Sequence, residues 1–262
     1  MDDAALKAAE VRYAMGDEAM GFQSREKAKD AYQHYQIADR YRPNFRDTQT
    51  KMQDALWAAT LKVVVEPIPM HSRAMEISND FFQGQIDEYL ANVNVSPFVA
   101  FFSPKEAYVN GIDMPDHVVA MQFDDFVVGQ HYVKETVEKV TRDSVEVGKT
   151  SRGDDQKPVY GTVSAELRTF RKEVVSSGLL TFALLGSRTT RRIIHDKFPG
   201  TYVWFCEWGS FNGDERALTK QQLGMVRGRE LMPPPPQQLF VEFTKPIYGQ
   251  ITGRLRDFYR NY

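Results

Sequence analysis

The sequence has very little cysteine and no long apolar run. One cysteine, Cys206, occurs among 262 residues, so no disulfide can form within the chain. Cys206 stands between Phe205 and Glu207 with no His or Lys beside it, which indicates a small buried side chain rather than a reactive thiol. No stretch approaches the ~20 apolar residues that cross a bilayer. The acidic start, Met1-Asp2-Asp3, lacks the apolar core of a signal peptide, so we expect a chain that is either cytosolic or already processed.

Neither sign of charge dominates. The sequence has 33 Lys and Arg residues against 35 Asp and Glu residues, a formal net charge of -2. Proteins that mainly neutralise a phosphate backbone carry a strong basic excess, so we expect no nucleic-acid partner. The hydrophobic fraction of 42% and the aromatic fraction of 12% are typical of a folded globular protein and argue against disorder.

Signatures of metal and nucleotide sites are also lacking. The five histidines lie far apart in the sequence, and no two of them stand at the i, i+4 spacing of a helical metal site. Asp113 and Asp116 precede His117, but Pro115 between them indicates a turn with solvated carboxylates. Gly148-Lys149-Thr150 resembles the end of a phosphate-binding loop, yet Asp143 stands where its first glycine belongs. We therefore predict no metal and no cofactor.

No Gly-x-Ser-x-Gly elbow occurs either, and the sequence predicts no catalytic residue. An enzyme, for example a hydrolase, stays open as an alternative if its site gathers residues that are distant in sequence. His117, His195 and Cys206 are the side chains that such a pocket would have to bring together with carboxylates.

Residues 1–60 have helical periodicity. Apolar or small residues recur at spacings of three and four, and three helices are predicted, the third over Phe45 to Ala59. The spacing of Ala31, Tyr35, Ala38 and Pro43 resembles the second helix of a tetratricopeptide repeat, and Ala19 and Phe22 fall where its first helix has a small residue and an aromatic. About one and a half repeat units are present, so we expect that this segment either packs on the domain formed by residues 61–262 or once had further helices upstream.

The pattern of residues 61–262 predicts a mixed sheet with helices. Leu61 to Val65 and Pro97 to Phe102 are apolar strands that flank an amphipathic helix, Arg73 to Leu90, with Ile77, Phe81, Ile86, Tyr89 and Leu90 on its apolar face. This order predicts a βαβ unit with a parallel strand pair. The expected fold class is α+β: a short TPR-like helical N-terminus packed on a mixed, largely antiparallel sheet domain with a βαβ unit and C-terminal helices.

Six extended segments follow the βαβ unit. They are separated at glycines, serines and prolines and cover 117–128, 132–147, 159–175, 179–185, 191–197 and 201–208. Residues 148–158 are polar and predict a mobile hairpin tip. Thr219 with Gln222 matches a capping box, Pro233 to Pro236 reads as a stiff spacer, and Tyr248 to Tyr259 predicts a final amphipathic helix.

Candidate binding residues come from two places. The strand 201–208 alternates, with Tyr202, Trp204, Cys206 and Trp208 on one face and Val203 and Phe205 on the other, and is expected to lie in the core. After it, a loop from Gly209 to Gly213 would expose Phe211 and Asn212 to a partner, and Asp214 would cap the next helix. Arg188, Arg191 and Arg192 form a basic cluster that is either an ordinary solvated edge or a patch for an anionic ligand or partner.

The N-terminal segment AKDAYQHYQIADRYRPNF, followed by an α/β domain, resembles envelope lipoproteins of Bacteroidota-type bacteria. The segments VVVEPIP, PFVAFF, PDHVVAMQFDDFVV, VYGTVSAELRTF and RIIHDKFPG follow the element order of the curli-secretion and penicillin-binding-protein-activator lipoproteins over roughly residues 61 to 210. Such lipoproteins carry an acylated cysteine at the mature N-terminus, which this sequence lacks.

The resemblance implies a non-enzymatic periplasmic adaptor that binds another protein of a cell-envelope or outer-membrane secretion-type assembly. It implies contact with a membrane only through a lipid anchor that would precede Met1. If Met1 is the native start, the expectation becomes a cytoplasmic protein.

Overall fold

The structure is a computed structural model that describes residues 2–70, 72–93, 95–150, 157–187, 191–260 and 262. Its elements confirm the α+β class: three helices come first, and a five-stranded mixed sheet with further helices follows. The strand order is β2-β1-β3-β4-β5. None of the helices in the described part of the chain is long and apolar enough to cross a membrane.

The first three helices are α1 (Asp2–Gly21), α2 (Arg25–Tyr41) and α3 (Thr48–Ala59). Ala31, Tyr35 and Ala38 are buried between them, as the spacing predicted. Gly16 lets α1 approach α2 closely, since a Cβ there would lie 2.5 Å from the Tyr35 ring. Phe22 lies beyond the end of α1 and is exposed, so it does not fill the aromatic position of a repeat.

Polar contacts join these three helices. The Tyr35 hydroxyl donates to Asp17 Oδ1 over 2.6 Å, and Lys51 Nζ lies 2.5 Å from the same oxygen. The Lys51 ammonium also sits 4.3 Å from the centroid of the Tyr13 ring, whose hydroxyl donates to Asp47. Because Asp17, Tyr35 and Lys51 come from α1, α2 and α3 respectively, one carboxylate fixes the relative positions of all three helices.

The predicted βαβ unit is confirmed. β1 (Leu61–Val65) pairs in parallel with β2 (Val99–Phe102), and α4 (Glu76–Asn92) connects them after a single 3-10 turn at Arg73–Met75. Ile86 and Leu90 are buried as expected, and Phe82 joins them. The assignment of Ile77 and Phe81 to the apolar face was wrong, because these side chains are 81% and 52% exposed. A short helix, α5 (Pro104–Val109), follows β2.

Three very long strands replace the six that were predicted. They are β3 (His117–Lys149), β4 (Pro158–Gly186) and β5 (Arg191–Gly213), and both pairs of neighbours are antiparallel. At about 3.3 Å per residue, a strand of this length spans on the order of 100 Å. β1 pairs with β3 only at His117, Val118 and Val119. Most of β3, β4 and β5 therefore forms a three-stranded arm that continues beyond the βαβ unit.

Three of the predicted strand breaks, at Gly129, 176–178 and 199–200, lie inside continuous strands, whereas β3 ends at Lys149 and β4 ends at Gly186 as predicted. Gly129, with φ at +77, belongs to a bulge on β3, and its N–H donates to Ser176 Oγ over 3.0 Å. A Cβ on Gly178 would lie 2.7 Å from the Phe243 ring, and a Cβ on Gly200 would lie 2.2 Å from the Phe243 carbonyl oxygen. These two glycines allow a helix to pack closely on the sheet, so the strands continue through them.

The C-terminal half of the fold holds two more helices. α6 (Lys220–Arg227) begins with the predicted capping box of Thr219 and Gln222, and Asp214 caps the single 3-10 turn at Glu215–Ala217 that precedes it. α7 (Pro236–Tyr259) starts twelve residues earlier than predicted. Pro246 lies inside α7, where it removes one backbone hydrogen-bond donor. Because proline normally ends a helix, the sequence did not predict the part of α7 that precedes Pro246.

The two faces of the sheet differ in how much of each is covered by helices. α7 buries a row of β4 side chains, Leu180, Phe182 and Leu184, together with Phe240 and Phe243 of its own; we call this side the covered face. The alternate residues of β4, Leu179, Thr181 and Ala183, are half-exposed on the opposite side, the open face. Far out on the arm, α6 and the 3-10 turn pack on this open face against Val163, Ala165 and Leu167.

Candidate interaction surface

Phe211 and Asn212 do not lie on a loop. β5 continues through Gly213, so the predicted loop from Gly209 to Gly213 was wrong. Phe211 is half-buried against the cluster that α6 covers, and Asn212 is exposed opposite Glu166. A Cβ on Gly209 would lie 2.8 Å from the Arg168 carbonyl oxygen, so this glycine serves close strand contact rather than a turn.

The basic cluster lies at the other end of β5. Arg191 and Arg192 are its first two residues, and both are exposed; Arg188 lies outside the described residues. Arg192 and Phe211 are 19 residues apart on one continuous strand, which is on the order of 60 Å. The predicted partner-binding residues therefore do not form one surface.

The residues of the alternative enzyme site are also separated. His117 is buried on the covered face, where its Nδ1 lies 3.0 Å from the Tyr259 hydroxyl. His195 is exposed opposite Ala183 on the open face, and Cys206 is buried on the arm opposite Lys172. Within the described residues, no group of three His, Cys, Asp or Glu side chains could hold a metal ion.

The alternation of residues 201–208 is confirmed, but one of the two faces lies outside the core. Tyr202, Trp204 and Trp208 are half-buried on the covered face, and Cys206 is buried there. Its Sγ lies 3.9 Å from the Leu231 carbonyl oxygen, in the connection between α6 and α7. Val203 and Phe205 point to the open face and are 43% and 52% exposed.

Val203 and Phe205 share one face of the sheet with other exposed or half-buried apolar side chains. Val203 pairs with half-buried Val175, and Phe205 pairs with Glu173, which pairs in turn with Tyr132. Tyr132 is 49% exposed, and Val127, one bulge further back on β3, is 44% exposed. We call these five residues the open-face patch: Val127, Tyr132, Val175, Val203 and Phe205. The patch lies between the βαβ unit and the part of the arm that α6 covers.

Charged side chains border the patch at its α6 end. The Arg171 guanidinium lies 4.4 Å from the centroid of the Phe205 ring and donates to Glu173 Oε1 over 2.6 Å and to Glu207 Oε1 over 2.7 Å. These hydrogen bonds to Glu173 and Glu207 raise the pKa of Arg171. Tyr132, Val133, Lys134, Arg171 and Glu173 line a shallow pocket of about 420 Å³ at this border.

This arrangement suits recognition of a surface better than chemistry on a small molecule. Several exposed apolar side chains on one face, next to charges that are already paired with each other, are typical of protein-docking sites. The sequence contained a signal for the patch, because Val203 and Phe205 alternate with the tryptophans. The contribution of Val127, Tyr132 and Val175 follows only from the strand register.

Comparisons with known proteins add structural neighbours but no family. No family model and no curated protein matches the chain. The hypothetical protein CT253 from Chlamydia trachomatis is 8% identical, with a TM-score of 0.33, and the match covers 77% of this chain and 99% of that one. A homolog of neuraminyllactose-binding hemagglutinin from Helicobacter pylori is 10% identical, with a TM-score of 0.29, and the match covers 77% of this chain and 91% of that one.

Proposed function

We propose that this protein is a non-enzymatic adaptor that docks another protein on its open-face patch. The observation that carries the proposal is the run of four apolar side chains, Val127, Tyr132, Val203 and Phe205, each between 43% and 52% exposed on one face of a continuous sheet. Exposed apolar area from several side chains on one face of a folded protein is costly in water and marks an interaction site.

The surroundings favour a preorganised surface. The patch residues stand on three hydrogen-bonded strands, and the Arg171 guanidinium holds the Phe205 ring from one side. Side chains fixed before binding lose less conformational entropy when a partner arrives, so affinity improves. The partner that fits presents an apolar surface whose border can hydrogen-bond to Glu173 and Glu207.

The setting of this adaptor is proposed from the sequence resemblance. The resemblance to envelope lipoproteins with a TPR-like start and an α/β domain implies a periplasmic protein of an outer-membrane or secretion-type assembly.

Site-specific photo-crosslinking tests the proposal. A photoreactive phenylalanine analogue replaces Phe205 in one variant and Phe22, which is 64% exposed on the helical segment, in another. In cells that produce the protein, we expect one discrete adduct of higher mass from position 205 and none of that mass from position 22. Equal adduct patterns from the two positions would contradict docking on the patch.

A further inference from the structure

A second surface of the molecule is the outer edge of β3. β3 pairs with β4 along its whole length, but on its other side it pairs with β1 only at His117, Val118 and Val119. Within the described residues, the main chain of 130–142 forms no hydrogen bond to any element except β4. The edge therefore presents a row of unpaired backbone donors and acceptors, which is a template for another strand.

Bulges enclose a regular stretch of this edge. The register of β3 against β4 shifts between Val127 and Gln130 and again between Arg142 and Val145, while the thirteen residues from Gln130 to Arg142 pair without interruption. All ten residues from Gln130 to Lys139 are exposed. Bulges protect an edge against strand addition, so the absence of bulges within 130–142 leaves this stretch suited to it.

The open-face side chains of the stretch, at every second position from Gln130 to Arg142, are self-complementary. Two copies of β3 can pair as antiparallel strands about a two-fold axis perpendicular to the sheet, and each open face then continues into the other. The axis lies midway between the two copies of one residue, which face each other. With the axis at Thr136, Lys134 of each copy faces Glu138 of the other, and Tyr132 faces Val140. Each of the thirteen residues is then aligned with a residue of the other copy.

When the axis is shifted by one to three residues from Thr136, most of the resulting registers set two like charges opposite each other. An axis at Glu135 or Glu138 sets a glutamate against itself, and an axis at Lys134 or Lys139 sets a lysine against itself. Like charges directly opposite each other destabilise a strand pair. An axis at Val137 avoids this and pairs Glu135 with Lys139, but it reaches the bulge after Arg142 and aligns only 132–142.

We propose that two copies of this chain associate through the β3 edge, as antiparallel strands centred on Thr136. The two arms then form one continuous sheet with six long strands. In that dimer the two open-face patches lie on the same side. The inference does not depend on the adaptor function, since it is carried by the unpaired backbone edge of β3 and by the charges of Lys134 and Glu138.

Charge reversal tests the dimer and its register together. Sedimentation equilibrium over a wide range of protein concentrations is expected to show a reversible dimer of the wild type. Lys134→Glu sets two carboxylates opposite each other at both symmetric positions of the dimer, and Glu138→Lys sets two ammonium groups opposite each other there. We expect each single variant to raise the dimer dissociation constant at least about tenfold. The double variant Lys134→Glu/Glu138→Lys restores opposite charges and should return the constant close to that of the wild type.

Two controls separate register from net charge and from folding. Lys105→Glu makes the same change of charge on exposed α5 and should leave dimerisation unchanged. Circular dichroism establishes that the single variants remain folded. A wild type that stays monomeric at every concentration would overturn the proposal. Single variants that dimerise normally, or a double variant that stays as weak as the singles, would overturn it as well.

Discussion

His117 is a buried histidine whose charged form the fold disfavours. Its ring packs against the rings of Phe258, Tyr259 and Tyr262, and Nδ1 contacts the Tyr259 hydroxyl. Burial lowers the pKa of His117 below its usual 6.5, the charge of Asp116 opposes this shift and the charge of Arg25 adds to it. Protonation therefore favours the unfolded chain over the native state.

The lowered pKa of His117 makes the free energy of unfolding decrease toward acidic pH. Below pH 6.5 the unfolded chain binds a proton at this position that the folded protein resists, so the free energy of unfolding falls as the pH falls from 6.5 to the folded-state pKa. His117→Gln should flatten this part of the curve, measured by urea unfolding at several pH values. An unchanged slope in His117→Gln would contradict the assignment.

Gly200 is needed for the close approach of α7. A Cβ there would lie 2.2 Å from a backbone oxygen, so Gly200→Ala must push α7 away from the sheet. We expect a loss of about 1–3 kcal/mol in the free energy of unfolding, typical of overpacking. Gly249→Ala is the matched control, because outside the adjacent backbone of α7 no atom lies within 4 Å of its Cβ position, and helix propensity predicts a gain of about 0.5–1 kcal/mol. Chemical denaturation of both variants measures these differences.

At the scale of elements, α6 and the 3-10 turn before it stabilise the far part of the arm. Leu218, buried at 3% exposure, packs with Val163, Ala165 and Leu167 in a cluster separate from the main core. Three strands without such a cover would expose this apolar row to water. The cluster therefore gives the arm a local core of its own.

This separation predicts a local effect of mutation. Leu218→Ala should cost about 2–4 kcal/mol of local stability and speed amide hydrogen exchange in 163–167, while exchange in 180–184 keeps its wild-type rate. Leu184→Ala, in the main core, should instead speed exchange in both segments. Uniform acceleration throughout β4 in Leu218→Ala would show that the arm and the main core unfold together.

The sequence predicted local patterns better than long-range register. The βαβ unit, the capping box at Thr219 and the alternation around Trp204 depend on neighbouring residues, and all were predicted correctly. Gly178 and Gly200 were interpreted as breaks, because their true role depends on α7, which is distant in sequence. Pro246 hid the first half of α7 for the same kind of reason: surrounding packing overrides local propensity.

The candidate site was harder to predict than the fold. Val203 and Phe205 were recognised as one face of a strand, but they were placed in the core, since both faces of an apolar strand look alike without knowledge of what covers them. The assignment of Ile77 and Phe81 to the apolar face of α4 failed because the helix turns Phe82, Ile86 and Leu90 toward the sheet instead. Only the assembled layers show which apolar side chains remain exposed.

On the scale of the whole molecule, specific contacts join the helical segment to the βαβ unit and to the C-terminal end of the chain. Tyr32 of α2 packs edge-on against Phe98 with ring centroids 5.8 Å apart, and Lys29 donates to the carbonyl oxygen of Tyr262. The arm then carries its apolar patch away from these contacts. A partner can reach the patch without displacing either the N-terminal helices or α7.

Isothermal titration of the partner recovered by crosslinking tests docking on the open-face patch most directly. Phe205→Ala should weaken binding about tenfold or more, and wild-type binding should show a negative heat-capacity change, because apolar surface is buried. Ile77→Ala, which removes an even more exposed apolar side chain on α4, should bind like the wild type. Equal affinity of the wild type and Phe205→Ala, or an equal loss in Ile77→Ala, would contradict the account.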